Sequence, residues 1–223
     1  MIELRSVTAG GFRGASLAVE PGSCNRLLLA TETDLDLFLR LLVGTAHPTD
    51  GTVLLFGREV PGLPEAEALG LLARLALVWP SGGFVSNLKT WENILLPLWY
   101  HGEAGAAHRE GEVIDLLGRI GMEPDRVPDF LSALPGILPA REQRILGMVR
   151  AMVQDAEVMI YAGLFEDLDG PTRARFLQET ARHHARRPGR ASLFVAASPQ
   201  GLPEPFVGRS LRQDEAGAIA PWH

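Results

Sequence analysis

Short apolar runs constrain this chain more than any other feature. They are RLLLA at Arg26–Ala30, ALVW at Ala76–Trp79, EVMIY at Glu157–Tyr161 and SLFVAA at Ser192–Ala197. Continuous runs of that length suit strands buried on both faces, as in a parallel sheet. Helical spacing fills the intervals. Leu35, Phe38, Leu39 and Leu42 share one face of a helix expected over Leu35–Val43, which Gly44 ends by supplying a positive φ. Further helices are expected over residues 140–154 and from Pro171 to about Arg187, and a short one within 61–75. Strand–helix alternation of this kind makes a mainly parallel sheet covered by helices.

The rest of the chain completes an α/β domain. Ile2–Val7, Ala15–Val19 and Thr52–Phe56 are expected as strands, with a small antiparallel β part at the N-terminus. Residues of about 85–155 form a helical subdomain. Within it, 91–121 is mostly helical but interrupted by Pro97 and the HGEAGAA segment, and Pro124–Pro139 is irregular. The last 25 residues have weak periodicity and are expected as hairpin and loop.

A length of 223 residues supports one buried core with a small subdomain, so 1–223 is expected to be a single domain. A formal charge of −6 argues against nucleic acid as the main partner. The basic run Arg182, Arg186, Arg187 and Arg190, with His183 and His184, lacks interleaved aromatics. It is read as a solvated helix face, or else as a contact to anionic lipid or an acidic partner. Cys24 is the only cysteine, which suits a reducing compartment, and it is expected to act as a small buried hydrophobe. No window has the roughly 18 apolar residues of a spanning helix. The expected location is cytoplasmic, with peripheral docking at the inner face of the cell membrane.

Lys89 is the only lysine. This matters because RLLLA, then TETD, then a helix is a phosphate-binding order, in which loop amides and a helix N-terminus face an anion. A working phosphate loop has glycines, then Lys and Ser/Thr at the helix start. Here Glu32, Asp34 and Asp36 stand there instead, with Leu35 among them. Carboxylates repel a triphosphate. They suit the positive end of the helix, with Thr33 or Asp34 as cap. An alternative is that Glu32, Asp34 and Asp36 hold a divalent metal, although no histidine partner is evident.

The layout resembles the ATP-binding subunits of ABC transporters, especially those of lipid-trafficking systems of the bacterial envelope. The resemblance covers roughly residues 1–200 and is carried by ordered remnants: GTAHPTDG at 44–51, Trp91-Glu92-Asn93, Val149-Arg150-Ala151-Met152 and Leu168-Asp169. It implies a P-loop NTPase-like fold. A gapless placement puts Leu29–Leu37 on the phosphate loop, with Leu35 at the lysine and Asp36 and Leu37 at the Ser/Thr pair. Pro80 falls on the glutamine that contacts magnesium and water in that family, and proline offers neither a polar side chain nor an amide donor. The family's LSGGQ signature falls on Leu138-Pro139-Ala140-Arg141-Glu142. Ala162 and Gly163 replace the magnesium-binding Asp and the catalytic Glu. Ala197 or Ser198 replaces the histidine. Glu166 and Asp167 are expected to lie off the strand end, too far along for catalysis. Phe12 aligns poorly with the adenine-stacking region.

The expected function is therefore a non-catalytic ABC-ATPase-like subunit. The resemblance implies pairing with an active homologous ATPase or with itself, and docking to a membrane permease. Trp91, Glu92, Asn93, Leu168 and Asp169 are the candidate partner contacts. No cofactor is expected. ATP and magnesium enter only under the alternative of a weak or atypical ATPase, which needs substitutes for every lost group. A second alternative is a regulatory binding module without a transporter.

Overall fold

The computed structural model describes residues 1–80, 82–100 and 109–222. The HGEAGAA interruption and Ser81 lie outside them. Two sheets organise the chain. β1 (Ile2–Ala9), β2 (Phe12–Val19) and β4 (Asp50–Leu55) form an antiparallel sheet in the order β2-β1-β4. β3 (Cys24–Leu28), β5 (Leu75–Val78), β6 (Val158–Ala162), β7 (Ala191–Ala196), β8 (Arg209–Gln213) and β9 (Ile219–Pro221) form the main sheet, ordered β5-β6-β7-β3-β8-β9. Its pairings are parallel except for β8 with β9.

Alternation across the buried strands divides the core into two. Val158, Ile160 and Ala162 face α1 (Glu32–Leu42) and the antiparallel sheet. Met159 and Tyr161 face the other side, which is covered by α6 (Ala140–Val153) and by Phe176 of α7 (Gly170–Ala185). The apolar stripe of α1 is as expected: Leu35, Phe38 and Leu39 are fully buried, each contributing roughly 1.5–3 kcal/mol. Gly44, at φ +77°, follows the helix end.

The stretch between β5 and β6 holds α3 (Thr90–Tyr100), α4 (Glu110–Arg119), α5 (Val127–Ser132) and α6, while α2 (Glu65–Leu72) precedes β5. Two expectations change here. Pro97 lies inside α3 rather than breaking it. The segment expected to be irregular contains α5, because Val127 and Phe130 bury a short helical face between prolines. The C-terminal tail is the expected hairpin, but β8 also extends the main sheet beside β3.

A strand-end site closed by its own side chains

The candidate site lies at the C-terminal ends of β3, β6 and β7, where open parallel sheets usually bind ligands. β3 ends at Leu28 and α1 already begins at Glu32, so TETD is not a loop. Thr31 is the N-cap, not Thr33 or Asp34. Its hydroxyl accepts the Asp34 amide at 3.0 Å and donates to Asp34 Oδ2 at 2.7 Å. Residues that the resemblance places on the phosphate loop are thus wound into the first turn of a helix.

The three carboxylates of that turn serve different contacts. Asp34 is buried, and its Oδ1 accepts the Gly11 amide at 3.1 Å, tying the β1–β2 turn to the helix. Asp36 is exposed beside Arg40, 3.6 Å away. Glu32 is held above its ordinary carboxyl range by partial burial and then by the charge of Glu166. The trio does not converge, and among the described residues no group of three His, Cys, Asp or Glu side chains is placed to hold a metal. Leu35 is buried in the core. Gln213 completes the closure: its Oε1 accepts the Ala30 amide at 3.0 Å, and its Nε2 donates to the Gly11 carbonyl at 3.0 Å.

Glu166 is placed differently from expectation. A tight turn follows β6, with Gly163 at φ +57° and the Glu166 amide donating to the Gly163 carbonyl at 3.3 Å. The turn brings the Glu166 carboxylate back to the strand end. A Cβ on Gly163 would lie 3.5 Å from Glu166 Oε2. Ser198 Oγ donates to Glu166 Oε1 at 3.2 Å, so Glu166 joins the ends of β6 and β7. Ala197 lies beside Leu28–Ala30 in an adjoining open cleft. Arg144, on α6, donates to the Gly163 carbonyl at 2.6 Å. Pro80, Ala162 and Arg144 line a small cavity of about 70 Å³.

The signature region is likewise internally bonded. Leu138 is buried, and Pro139 precedes α6 without a side-chain cap. Ala140 begins the helix. Arg141 donates to Thr172 Oγ1 at 3.2 Å, and Glu142 takes a bidentate pair from Arg126 at 3.0 and 2.9 Å. Further along α6, Arg150 is buried enough to push its pKa down to about 10. It donates to the Gly82 and Gly83 carbonyls at 2.9 Å each and lies over the Phe84 ring.

The candidate partner contacts separate into two kinds. Trp91 lines a cleft of about 480 Å³ with Lys89 and the half-exposed Trp99. Glu92 accepts the Lys89 amide at 2.7 Å, closing the first turn of α3. Asn93 is fully buried and bonds the Val85, Leu88 and Lys89 backbone, so it shapes this turn rather than a surface. Leu168 packs on the core. Asp169 caps α7 through the Thr172 amide at 2.7 Å, which lowers its pKa ahead of the nearby arginines.

Phe12 is in the core against Phe38, in keeping with its poor match to the adenine-stacking region. Two side chains of the basic run are buried against expectation. His183 is buried, its pKa pushed down to about 3 by desolvation and then by Arg190. Arg190 is also buried. It pairs with Asp155 and donates to the Ala156 and His183 carbonyls, so the basic run is not one solvated face. Their sequence signal is weak because this burial comes from residues far away in the chain.

The helix start is acidic, the Ala30 amide is taken by Gln213, and Glu166 adds a second carboxylate opposite Glu32.

The architecture is nevertheless that of the ABC transporter ATPase cassette. The fold matches the dimeric bacterial ABC transporter cassette MJ0796 with a TM-score of 0.81 and 18% identity, covering 98% of this chain and 96% of that one. It also matches an ATP-binding subunit of an ABC transporter with a TM-score of 0.81 and 14% identity, covering 99% and 90%. Sequence comparison supports a likeness to ABC transporter ATP-binding subunits. A Fe(3+) ions import ATP-binding protein of Brucella suis is 30% identical over 166 residues, covering 74% of this chain and 43% of that protein. A methionine import ATP-binding protein of Cereibacter sphaeroides is 27% identical over 165 residues, covering 73% and 44%. This chain spans about half the length of these curated relatives. No protein-family model matches it. No helix among the described residues is long and apolar enough to cross a membrane.

Proposed function

We propose that this chain is a cassette subunit of an ABC-type transporter that pairs with a homologous ATPase subunit and docks to a membrane permease without hydrolysing ATP itself. One observation carries this reading: the first turn of α1 occupies the phosphate-loop position, and it sets Glu32 near the Glu166 carboxylate at the strand ends. Phosphoryl transfer depends on charge placement, and here the charge has the wrong sign. The cassette scaffold persists around this altered site, which favours a positioning role beside an active partner. Self-pairing is the simpler assembly, but it leaves both composite sites without their cations. The Trp91–Trp99 cleft offers the permease an apolar surface with aromatic anchors.

A second reading is weak hydrolysis, favoured by the return of the Glu166 carboxylate to the end of β6. It leaves the lysine position as the buried Leu35. The resemblance further points to lipid trafficking at the envelope, whereas the relatives named above are iron and methionine import proteins.

Affinity isolation of the native complex, followed by subunit identification, tests the transporter reading. A permease and an intact ATPase subunit are expected in the complex, with Trp99→Glu losing the permease. Recovery of the chain with neither component contradicts the reading and leaves the regulatory module. The permease recovered also identifies the transported class.

A further inference from the structure

A second cleft lies at the other end of the main sheet, where β3 and β7 begin. Its floor carries Cys24, Ser192 and Phe194, its wall is α7, and its rim is the 205–207 segment. The volume is about 390 Å³, within the usual range of small-molecule sites. The lining is mainly apolar, and Val207 at the rim is 93% exposed.

The polar groups gather on one side. His184 Nδ1 and Ser192 Oγ are hydrogen-bonded at 2.9 Å, and Ser192 pairs with Cys24 across the strands. Behind them the Tyr161 hydroxyl is fully buried with no hydrogen-bond partner among the described residues, its ring stacked on Phe194 at 4.9 Å. The rim is anchored before any ligand arrives. Phe206 meets Phe194 edge-on, and the Arg26 guanidinium lies over both Phe206 and Trp222. A preformed apolar cleft with a few convergent polar groups is the usual form of a ligand site, because little ordering remains to oppose binding.

We propose that this cleft binds a small, largely apolar molecule with one neutral hydrogen-bonding head, which Ser192, His184 and Cys24 receive. The head is neutral because its surroundings are. Burial pushes the Cys24 thiol up to about 11, and burial followed by Arg190 pushes His184 below its ordinary value. Arg190 itself is paired with Asp155, and no carboxylate, lysine or arginine among the described residues lines the cleft to meet an ionic head.

The test is a titration of the full chain with 1-octanol, octanoate and octylamine, followed by NMR and by the alkylation rate of Cys24. Octanol should shift resonances saturably and slow Cys24 alkylation. The two ionic analogues should bind about tenfold more weakly or worse. Ala181→Trp, at an exposed position on α7 facing the cleft, should weaken octanol binding about tenfold. Val207→Glu is a second rim variant that spares the core and should act in the same direction. Non-saturable shifts, equal binding by both variants, or preference for octanoate or octylamine would overturn the proposal.

Discussion

The side-chain amide of Gln213 takes the Ala30 backbone N–H at 3.0 Å, and so a residue of β8 occupies an amide just past the end of β3. Its other end donates to the Gly11 carbonyl, so three segments distant in sequence meet on one side chain. Gln213→Ala strands a backbone donor and an acceptor together. The expected cost is about 1–3 kcal/mol in urea unfolding. Gln213→Glu should also destabilise, since its second oxygen then faces the Gly11 carbonyl.

Arg150 depends equally on what it touches. Its guanidinium is half-buried and donates to two glycine carbonyls beside Phe84. Arg150→Ala leaves both carbonyls without this donor and should cost about 2–4 kcal/mol by chemical denaturation. Arg150→Lys should recover only part of that, because a point charge replaces a planar fork.

Glu32 makes the site sensitive to pH. Its folded pKa is raised above the ordinary 4.5, so the folded state retains the proton longer than the unfolded chain. This contribution to stability is present below pH 4.5 and is lost as pH rises through the folded value. A carboxyl NMR titration should show Glu32 moving back toward 4.5 in Glu166→Gln. No movement would separate the two carboxylates.

His183 has the opposite sign. Its folded pKa is lowered to about 3 from 6.5, so its neutral burial favours folding at neutral pH. That contribution falls as pH drops below 6.5 toward 3, by up to about 1.4 kcal/mol per pH unit. His183→Leu should flatten the acid limb of stability measured by urea melts at stepped pH.

The chain patterning revealed the scaffold because the strands carry their own signal. EVMIY and SLFVAA are buried on both faces and appear as β6 and β7 close to their expected limits. Helix α1 was legible in its apolar stripe but not in its start. Thr31 and Asp34 form a reciprocal cap, and Glu, Thr and Asp then sit in the first turn as readily as in a loop. Pairing of β8 with β3 was not legible, since their contacting residues lie about 184 positions apart. Nor was the return of Glu166, which depends on the turn after Gly163 rather than on spacing along the strand. His183 and Arg190 looked solvated because charge patterning does not show a cover supplied by residues 155–156.

Calorimetric titration of the isolated chain with ATP and magnesium addresses the altered strand-end site most directly. A site closed by its own carboxylates gives no saturable heat up to about millimolar ATP, where binding free energy is only about 4 kcal/mol. Saturable binding at about micromolar ATP, abolished by a bulky replacement at Gly163, would contradict it.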